Sequence, residues 1–542
     1  MQWLWLNLLA VIHCEVITLN WDIGYVDGGD PRGGFPRQVI GVNGQWPIPP
    51  VIANQGDTLV INARNVLKEG LVTSVHFHGL FQNGTNYYDG ALGINDCGIP
   101  FNSNYTYVVN LSQTGSYWIH GHGFGDYPNG FRTPLVIKDS SDPARYGYVD
   151  EFTLGLADWY DRTYEDIFYN DYFLQFNGEG TEPIPSAPIV NDAPNQIFSV
   201  QPGQGYRFRL ILMGTYAPMQ FWIENHNLTI IEVDGVSVQP YDVECVLLGA
   251  AQRYSVVVQT LDSTDYNYQI HVDFNEDMFG NNFPANYSKS VISTLQYDPA
   301  APMFNYTGPV PAFTLDETQL VPIVPIHSVA PDYTLTLKAR LGKFNDSRNH
   351  GSFDRIAYAF PNVPAILSAT TMGDLATQNA IYGPATHSNV LPHNQMIQLV
   401  VLNLDKEGDH PFHLHGHSFQ IVGKSDTPYY NETALLPVFN SLKNPVRRDT
   451  VIVPKKGWVA IRFRSDNPGV WPFHCHIQWH FATGLAAQII EAPLQMQKTQ
   501  VIPTQMKNNC RARGMKISGN AAGYPDNSTF TGLAPPLRYI LE

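Results

Sequence analysis

The ten residues Trp471–His480 place a cysteine between two histidines and add a third histidine four residues later. Alternate side chains of a strand point to opposite faces, so His474 and His476 would share one face while Cys475 occupies the other. One strand would then serve two metal sites joined by a few covalent bonds. Taken singly, each residue is better explained as a buried thiol or a hydrogen-bonded histidine. The motif gains its meaning from similar motifs elsewhere in the chain.

Three further histidine motifs accompany this stretch. Two are H-x-H pairs on predicted strands, and the third is a denser run around a proline. Their histidines are His76, His78, His120, His122, His410, His413, His415 and His417. A single H-x-H pair is weak evidence, because a solvated strand face or a zinc site gives the same pattern. One thiolate with two imidazoles and a weak axial position is, however, the ligand set of blue copper sites, so the four motifs together indicate copper.

The composition is that of a globular, turn-rich chain. Hydrophobic residues make up 44% and aromatic residues 12% of the sequence, which also contains 44 glycines and 40 prolines. Such a chain is expected to be all-β, with short strands between turns. Its 542 residues predict three or four domains. The net charge of −16 argues against nucleic acid or an anionic membrane as a partner and favours cations or neutral molecules.

Three segments share a polar turn followed by a β-type run: 55–64, 201–210 and 393–402. The first two alternate in part, as in a strand with one face on a core, and the third is nearly all apolar, as in a more buried strand. Their recurrence predicts three copies of a β-sandwich domain, although generic strand chemistry would give the same weak similarity.

Turn-rich and proline-broken stretches mark the predicted domain boundaries, at Asp139–Pro143 and Tyr297–Pro325. The predicted divisions are a first domain at 15–140, a second at 141–300, a third at 301–495 and a tail at 496–542 that wraps the surface.

The first 14 residues are predicted to be a signal peptide. The apolar run Leu4–Ile12 is too short to span a bilayer but fits the apolar region of a signal, although a charged segment before it is missing. No later stretch is apolar enough and long enough for a transmembrane helix. Nine glycosylation sequons are compatible with secretion, at Asn83, Asn104, Asn110, Asn227, Asn286, Asn305, Asn345, Asn431 and Asn527. The expected location is extracellular or in the cell wall.

The five cysteines have different expected roles. Cys14 would leave with the signal peptide, and Cys475 is committed to metal. A bridge between Cys97 and Cys510 would tie the tail to the first domain, whereas Cys245, in an apolar run, is expected to be a buried thiol.

In order and spacing, the four motifs H-x-H, H-x-H, H-P-x-H-L-H and H-C-H-x-x-x-H resemble those of the multicopper oxidases over essentially the whole chain. Fungal laccases and yeast-type ferroxidases are most similar, through the stretches 76–85, 446–450 and 466–471. The resemblance implies three cupredoxin-like Greek-key β-sandwich domains and four copper ions, with the oxygen-reducing centre between the first and third domains.

The resemblance also implies a ligand for each copper. The type 1 copper would bind His410, Cys475 and His480, and the type 2 copper would bind His76 and His413. The type 3 pair would bind His78, His120, His122, His415, His474 and His476. By the same pattern, His417 is not a ligand.

The implied reaction takes single electrons at the type 1 site, passes them through Cys475 to its neighbouring histidines, and reduces dioxygen to water. The axial position of the type 1 copper is Leu485, which cannot coordinate, so a high reduction potential is expected. Asp89 matches the family's acid near the type 2 copper, although a turn aspartate before glycine would look the same. Gln478 stands where similar proteins carry an acid, which puts part of the proton relay in question.

The reducing substrate is the most open question. Ferroxidases surround the type 1 histidines with acids, and Asp158 matches one of them, but it would also suit a laccase that accepts a phenol's hydrogen bond. The other acidic positions match poorly, at Asn275 or Glu276 and at Ser425 or Asp426. Ferroxidases also carry a C-terminal membrane anchor, which this sequence does not show.

We therefore expect a soluble, laccase-like oxidase of phenols or naphthols, of the kind that serves pigment or secondary-metabolite synthesis. The alternative is a ferroxidase that oxidises Fe(II) for iron uptake. A copper carrier without enzymatic activity is a third reading, and the complete ligand set speaks against it.

Overall fold

The computed structural model describes residues 14–175, 177 and 180–539. The predicted signal peptide lies outside this part of the chain except for Cys14, which is exposed. Most regular structure in the described residues is β-strand, and the strands fall into three pairs of sheets that we call the first, second and third sandwiches. The all-β fold class is confirmed.

The first sandwich has two four-stranded sheets and a small two-stranded one. Its strands are β1 Val16–Gly29, β2 Arg37–Val42, β3 Val51–Asn54, β4 Thr58–Asn65, β5 Val72–Thr73, β6 His76–His78, β7 Ile99–Pro100, β8 Asn104–Asn110, β9 Gly115–His120 and β10 Arg132–Lys138. The sheet orders are β2-β1-β4-β8, β3-β10-β9-β6 and β5-β7. Along β4 buried and less buried residues alternate, as expected for a strand with one face on a core.

The second sandwich pairs a six-stranded with a five-stranded sheet. Its strands are β11 Asp150–Trp159, β12 Ala187–Val190, β13 Ile197–Ser199, β14 Gly205–Leu212, β15 Met219–Ile223, β16 Leu228–Val233, β17 Val236–Val243, β18 Cys245–Leu248, β19 Arg253–Gln259, β20 Tyr268–Phe274 and β21 Ser290–Gln296. The orders are β12-β11-β14-β19-β16-β17 and β13-β21-β20-β15-β18. Cys245 is buried, as expected.

The third sandwich repeats this arrangement. Its strands are β22 Tyr333–Lys343, β23 Asn349–Phe353, β24 Ser388–Leu391, β25 Met396–Asn403, β26 His410–Leu414, β27 Phe419–Ser425, β28 Arg447–Arg448, β29 Thr450–Val453, β30 Trp458–Arg464, β31 Gly469–Cys475 and β32 Ala486–Glu491. The orders are β23-β22-β25-β30-β27-β28 and β24-β32-β31-β26-β29.

The three similar sequence segments become equivalent strands. β4, β14 and β25 each lie between a parallel neighbour that comes before them in the chain and an antiparallel neighbour that comes after. The weak sequence repeat therefore corresponds to a repeated topology. The residue boundaries assigned to the three domains and the tail stay predictions.

The helices are short and lie between strands or in the tail. They are α1 Asp142–Tyr146, α2 Tyr164–Ile167, α3 Ala365–Thr371, α4 Glu432–Ser441, α5 Gln478–Ala482, α6 Pro493–Thr499 and α7 Thr504–Ala512, with single turns at Asn86–Tyr88, Phe168–Tyr172, Glu317–Gln319, Gly373–Thr377 and Asn379–Tyr382. In the part of the chain that the structure describes, no helix is long and apolar enough to cross a membrane.

The tail returns to the first sandwich. Cys510 in α7 forms a disulfide with Cys97, which confirms the expected bridge across 413 residues. Met496 and Met506 are fully buried in the same core as the strands of the first sandwich. The second and third sandwiches share another continuous core, which includes Cys475. Strand β31 contributes side chains to both cores, Val470 to the first and Phe473 to the second.

Candidate metal centre

Cys475 lies at the end of β31 between two histidines. Its Sγ is 3.5 Å from Nδ1 of His480 and 3.7 Å from Nδ1 of His410. All three side chains are fully buried. His410 begins β26 and His480 lies in α5, so a strand, its neighbour and the following helix position the three ligand atoms. We call these residues the thiolate site.

Eight other histidines of the motifs form one buried group, the histidine cluster. Its members are His76, His78, His120, His122, His413, His415, His474 and His476. Strands β6 and β9 of the first sandwich face strands β26 and β31 of the third, and the pairs His76–His120 and His413–His474 are directly opposite in their sheets. Nε2 of His415 lies 3.1 Å from Nε2 of His474. Residues separated by up to 400 positions therefore surround one small volume.

Alternate side chains at the end of β31 enter different sites, as the sequence pattern predicts. His474 and His476 contribute to the histidine cluster, whereas Cys475 belongs to the thiolate site. His417 is separated from His413 and His415 by an even number of positions, but its side chain does not join the histidine cluster. Its Nδ1 donates to the carbonyl of His415 at 3.0 Å, and its Nε2 lies 2.9 Å from the carboxylate of Glu491.

The histidine cluster is built to hold metal. Six of its ring nitrogens are buried and have no hydrogen-bond partner: Nε2 of His76, Nδ1 of His78, Nε2 of His120, Nδ1 of His122, Nε2 of His413 and Nδ1 of His476. Several of the opposite nitrogens are fixed by carbonyl groups, for example Nδ1 of His76 by Asp89 at 2.6 Å and Nδ1 of His413 by Asp449 at 2.9 Å. Unpaired buried nitrogens are costly unless a metal binds them, and fixed outer nitrogens orient ligand rings.

The protonation states of six histidines in the cluster are compatible with metal binding. Burial lowers the pKa of six cluster histidines well below its ordinary value, which keeps their rings neutral: His78, His120, His122, His415, His474 and His476. Burial would raise the pKa of the Cys475 thiol, but hydrogen bonds with His410 and His480 lower it to about 7. A set of imidazoles with one thiolate fits copper.

Two buried aspartates hold the cluster from outside. The Oδ2 of Asp89 lies 2.9 Å from Nδ1 of His415 and accepts from Nδ2 of Asn95 at 2.6 Å, while its Oδ1 has no partner. Asp449 lies 3.3 Å from Nε2 of His78 and accepts hydrogen bonds from both terminal nitrogens of Arg253, each at 2.6 Å. Burial would raise the pKa of Asp449, but Arg253 and the histidines hold it well below its ordinary value.

Two carboxylates contact the thiolate site from the solvent side. Oε1 of Glu182 lies 2.8 Å from Nε2 of His480, and Oδ2 of Asp405 lies 2.8 Å from Nε2 of His410. The side chains are 17% and 13% exposed, so both carboxylates can be reached from outside. Glu182 also lines an open cavity of about 570 Å³ next to the site, together with Asp171.

Glu182 and Asp405 were not predicted. Asp405 stands five residues before His410 in an acid-rich loop, a signal that could have identified it. Glu182 lies 298 residues from His480 in a segment without periodicity, and no local pattern connects the two. Only the folded chain brings them together.

Asp158 was predicted to act on substrate, and the structure gives it a different position. It is 2% exposed, and its carboxylate accepts backbone N–H groups of Thr215 and Tyr216 at 2.7 Å and of Ala217 at 3.2 Å. This carboxylate holds a loop in place. Glu276 is paired with Lys289 at 2.7 Å, and Asp426 is exposed without a contact to the thiolate site.

Leu485 and Gln478 are both buried near the ligands of the two sites. Leu485 is fully buried, donates its N–H to the His480 carbonyl at 3.0 Å and accepts the Cys475 N–H at 3.1 Å. Gln478 lines a cavity of about 10 Å³ together with His122 and His474 of the histidine cluster.

Comparison with known proteins decides the family. Multicopper oxidase family models match residues 28–142, 150–300 and 358–495. The chain belongs to the multicopper oxidases. It is therefore a copper-dependent oxidoreductase.

Several of its relatives within this family act on iron. The iron multicopper oxidase fer1 of Mycosarcoma maydis is 38% identical over 98% of this chain and 90% of its own length. The crystal structure of Fet3p, a multicopper oxidase that functions in iron import, has a TM-score of 0.88 and 33% identity and covers 97% of this chain and 99% of its own. A laccase from Botrytis aclada has a TM-score of 0.77 and 26% identity, with 92% of each chain covered.

The prediction of a laccase-like phenol oxidase is wrong. The similar curated proteins are described as iron or iron transport multicopper oxidases, and the iron-import structure matches this multicopper oxidase better than the laccase does. That prediction depended on the poor match of the other acidic positions and on a membrane anchor that the sequence does not show, and neither concerns the carboxylates that contact His410 and His480.

Proposed function

We propose that this multicopper oxidase is a ferroxidase, which oxidises Fe(II) to Fe(III) and reduces dioxygen to water. The contacts of Glu182 with His480 and of Asp405 with His410, each at 2.8 Å, carry the proposal. Fe(II) is a hard cation that prefers oxygen ligands, and two accessible carboxylates offer them at the outer edge of the thiolate site. The iron-oxidising relatives support the same substrate.

The geometry gives the electron a short route inward. In His410 and His480, Nε2 faces a carboxylate while Nδ1 faces the Cys475 sulfur at 3.7 and 3.5 Å. An electron released by iron at Glu182 or Asp405 therefore crosses one imidazole ring to reach the sulfur. From Cys475 it reaches the histidine cluster through the backbone of β31 and the residue that follows it.

We assign four copper ions to the two groups of ligands. The type 1 ion would be held by His410, Cys475 and His480, the type 2 ion by His76 and His413, and the type 3 pair by His78, His120, His122, His415, His474 and His476. Bound copper supplies a one-electron acceptor at the thiolate site and electron transfer to dioxygen at the histidine cluster.

Asp89 is the proposed proton donor of the histidine cluster. Its carboxylate is fully buried beside His415, and its Oδ1 is free of hydrogen bonds. Gln478 carries an amide at the cavity beside the cluster, and an amide cannot serve as the acid. Asp89 would therefore take the larger share of proton delivery.

We also propose that the protein passes through the secretory pathway. The Cys97–Cys510 disulfide fits an oxidising compartment. Exposed sequon asparagines, among them Asn83, Asn227 and Asn305, would accept glycans without disturbing a strand.

The substrate is tested by steady-state oxygen uptake with ferrous iron and with a hydroquinone. We expect a much larger kcat/KM for iron. Glu182→Ala and Asp405→Ala should each lower kcat/KM for iron by about 10- to 100-fold, the loss expected for one charged contact, and should affect the hydroquinone far less.

Asp171→Asn is the matched control, because Asp171 lines the same cavity but pairs with Arg162 at 2.5 Å instead of contacting a histidine. It should leave the kinetics with iron nearly unchanged. Equal losses for iron and hydroquinone in the Glu182 and Asp405 variants, or a preference of the wild type for the hydroquinone, would contradict the proposal.

A further inference from the structure

Four tyrosines of the first sandwich form a continuous chain of rings. Ring centroids are 4.6 Å apart between Tyr87 and Tyr88, 6.0 Å between Tyr88 and Tyr105, and 4.7 Å between Tyr105 and Tyr107. Tyr88 and Tyr107 are also 6.3 Å apart, so the chain has a direct link that omits Tyr105. Tyr87 and Tyr88 are half-buried, whereas Tyr105 and Tyr107 are 1% and 0% exposed. The tyrosine chain thus connects the surface with the interior.

The inner end of the chain is a tyrosine paired with a carboxylate. Oη of Tyr107 donates to Oδ2 of Asp96 at 2.7 Å and accepts the N–H of Val75 at 3.1 Å. Asp96 is 1% exposed, and burial raises its pKa to about 6. The hydroxyl of Tyr105 donates only to the carbonyl of Tyr87, at 3.0 Å. Of these two buried phenols, only Tyr107 has a base to accept its proton.

Two members of the tyrosine chain, Tyr107 and Tyr88, are linked to the histidine cluster. Val75, which donates to Tyr107, directly precedes His76 in the chain. Tyr88 directly precedes Asp89, whose carbonyl lies 2.6 Å from Nδ1 of His76. Tyr107 therefore connects to His76 through one hydrogen bond and the backbone of Val75, and Tyr88 connects to the same histidine through the backbone of Asp89 and one hydrogen bond.

We propose that Tyr107 and Asp96 form a redox-active pair, which supplies an electron to the oxygen-reducing copper centre when external electrons run short. The inference rests on the proposed function only in placing that centre at the histidine cluster. In the step, Tyr107 loses one electron to the oxidised centre and its phenolic proton moves to Oδ2 of Asp96, leaving a neutral tyrosyl radical and a carboxylic acid. The oxidising equivalent thereby moves from the histidine cluster to Tyr107.

The outer tyrosines return the electron. Tyr88 can reduce the Tyr107 radical across 6.3 Å, and Asp96 then gives the proton back to the phenolate oxygen. Half-buried Tyr88 releases its own phenolic proton to solvent in this step and takes a proton back from solvent when it is reduced in turn. Because Tyr88 and Tyr87 are half-buried, a small one-electron donor in solution, such as ascorbate, can reduce them at the surface. The balance is one electron from that donor for each electron delivered to the centre, with no net change in the chain. Aromatic packing alone would be served equally well by phenylalanine.

The test uses the full-length, copper-loaded enzyme reduced with substoichiometric dithionite and mixed with dioxygen, so that no iron is needed. Electron paramagnetic resonance of samples frozen after mixing reports a tyrosyl radical. Peptide mass spectrometry after repeated cycles reports oxidation of residues around the cluster. The variants are Tyr107→Phe and Asp96→Asn, with Tyr382→Phe as the matched control, because Tyr382 is buried in the same core and donates only to the Ala376 carbonyl.

We expect a radical signal in the wild type and in Tyr382→Phe, its loss in Tyr107→Phe, and a weaker or shorter-lived signal in Asp96→Asn. Oxidative damage around the cluster should rise several-fold in Tyr107→Phe and fall in the wild type when ascorbate is added. An unchanged radical signal in Tyr107→Phe, or no radical in a wild type that reduces dioxygen, would overturn the inference. Failure of iron oxidation would instead count against the proposed function, because these measurements contain no iron.

Discussion

At the scale of one residue, Leu485 is expected to influence the reduction potential of the thiolate site. It is fully buried beside the backbone of Cys475 and His480 and offers no donor atom. If residue 485 occupies the axial position of the type 1 site, replacing Leu485 by Met would offer a thioether to the bound copper, and a lower reduction potential would follow. We expect a fall on the order of 60 mV, a tenfold change in the one-electron equilibrium, in a redox titration of the blue absorption band.

Leu485→Ile is the control, because it keeps the volume and adds no ligand. Its potential should stay close to that of the wild type. If the Met variant has the same potential as the Ile variant, the side chain at 485 does not occupy the axial position and its assignment must change.

Residue roles were predictable where chemistry and spacing coincide. The histidine motifs and Cys475 carry their function in the sequence, because few structures use a thiol between imidazoles. The carboxylates proposed to bind the substrate do not show that role in the sequence. Asp158 followed a family pattern yet holds a loop, whereas Glu182 acquires its role through a contact that depends on the arrangement of the second and third sandwiches.

At the scale of an element, strand β14 shows that alternation does not reveal what its polar face contacts. Its sequence alternates tyrosine, phenylalanine and leucine with arginines, which predicts one polar face in water. In the structure all eight of its residues are buried. Arg207 and Arg209 both pair with Glu232. Arg209 also donates to the hydroxyl of Ser116, which belongs to the first sandwich. The polar face of β14 is therefore an interface between sandwiches, and periodicity cannot tell an interface from solvent.

Glu232→Gln tests this network. Glu232 is 2% exposed, pairs with both arginines and accepts the Ser116 N–H at 2.8 Å. Losing its charge leaves Arg207 with Asp142, at 2.8 Å, as its remaining charged partner, so we expect the free energy of unfolding to fall by about 3 kcal/mol. Urea unfolding at neutral pH measures the loss.

The same variant predicts a pH dependence. Burial would raise the pKa of Glu232, but Arg207 and Arg209 hold it below its ordinary value. A lowered folded pKa gives stabilisation that is present above the unfolded pKa, about 4.3, and lost as the pH falls through the folded value. The stability difference between the wild type and Glu232→Gln should therefore be constant from about pH 6 to 8 and shrink in acid below about pH 4.

Glu151→Gln is the control for this network, since Glu151 contacts Arg209 at 2.8 Å but its side chain is 15% exposed. It should cost about 1 kcal/mol or less. A larger loss for Glu151→Gln than for Glu232→Gln would show that the buried pair does not hold the two sandwiches together.

At the scale of the whole molecule, the histidine cluster lies where the first and third sandwiches meet. The resemblance to the multicopper oxidases allowed this position to be predicted, and the absence of ligand motifs from the middle of the chain is consistent with it. The part played by the second sandwich was not predictable, because its contacts with the cluster run through single arginines without a motif. Arg253 of β19 pairs with Asp449 of the third sandwich and donates to the Ser116 carbonyl of the first at 3.0 Å.

Arg253→Met tests whether the second sandwich supports the metal centre. The variant leaves Asp449 buried without its counterion, beside His78 at 3.3 Å and His413 at 3.5 Å. We expect the free energy of unfolding to fall by about 3–5 kcal/mol and the copper content per protein, measured by atomic spectroscopy, to drop with it. Arg464→Met is the matched control, because Arg464 is exposed and bonds only to Asn394. If Arg253→Met binds as much copper as Arg464→Met and unfolds at the same denaturant concentration, the three sandwiches do not depend on this ion pair, and the centre is held by the first and third alone.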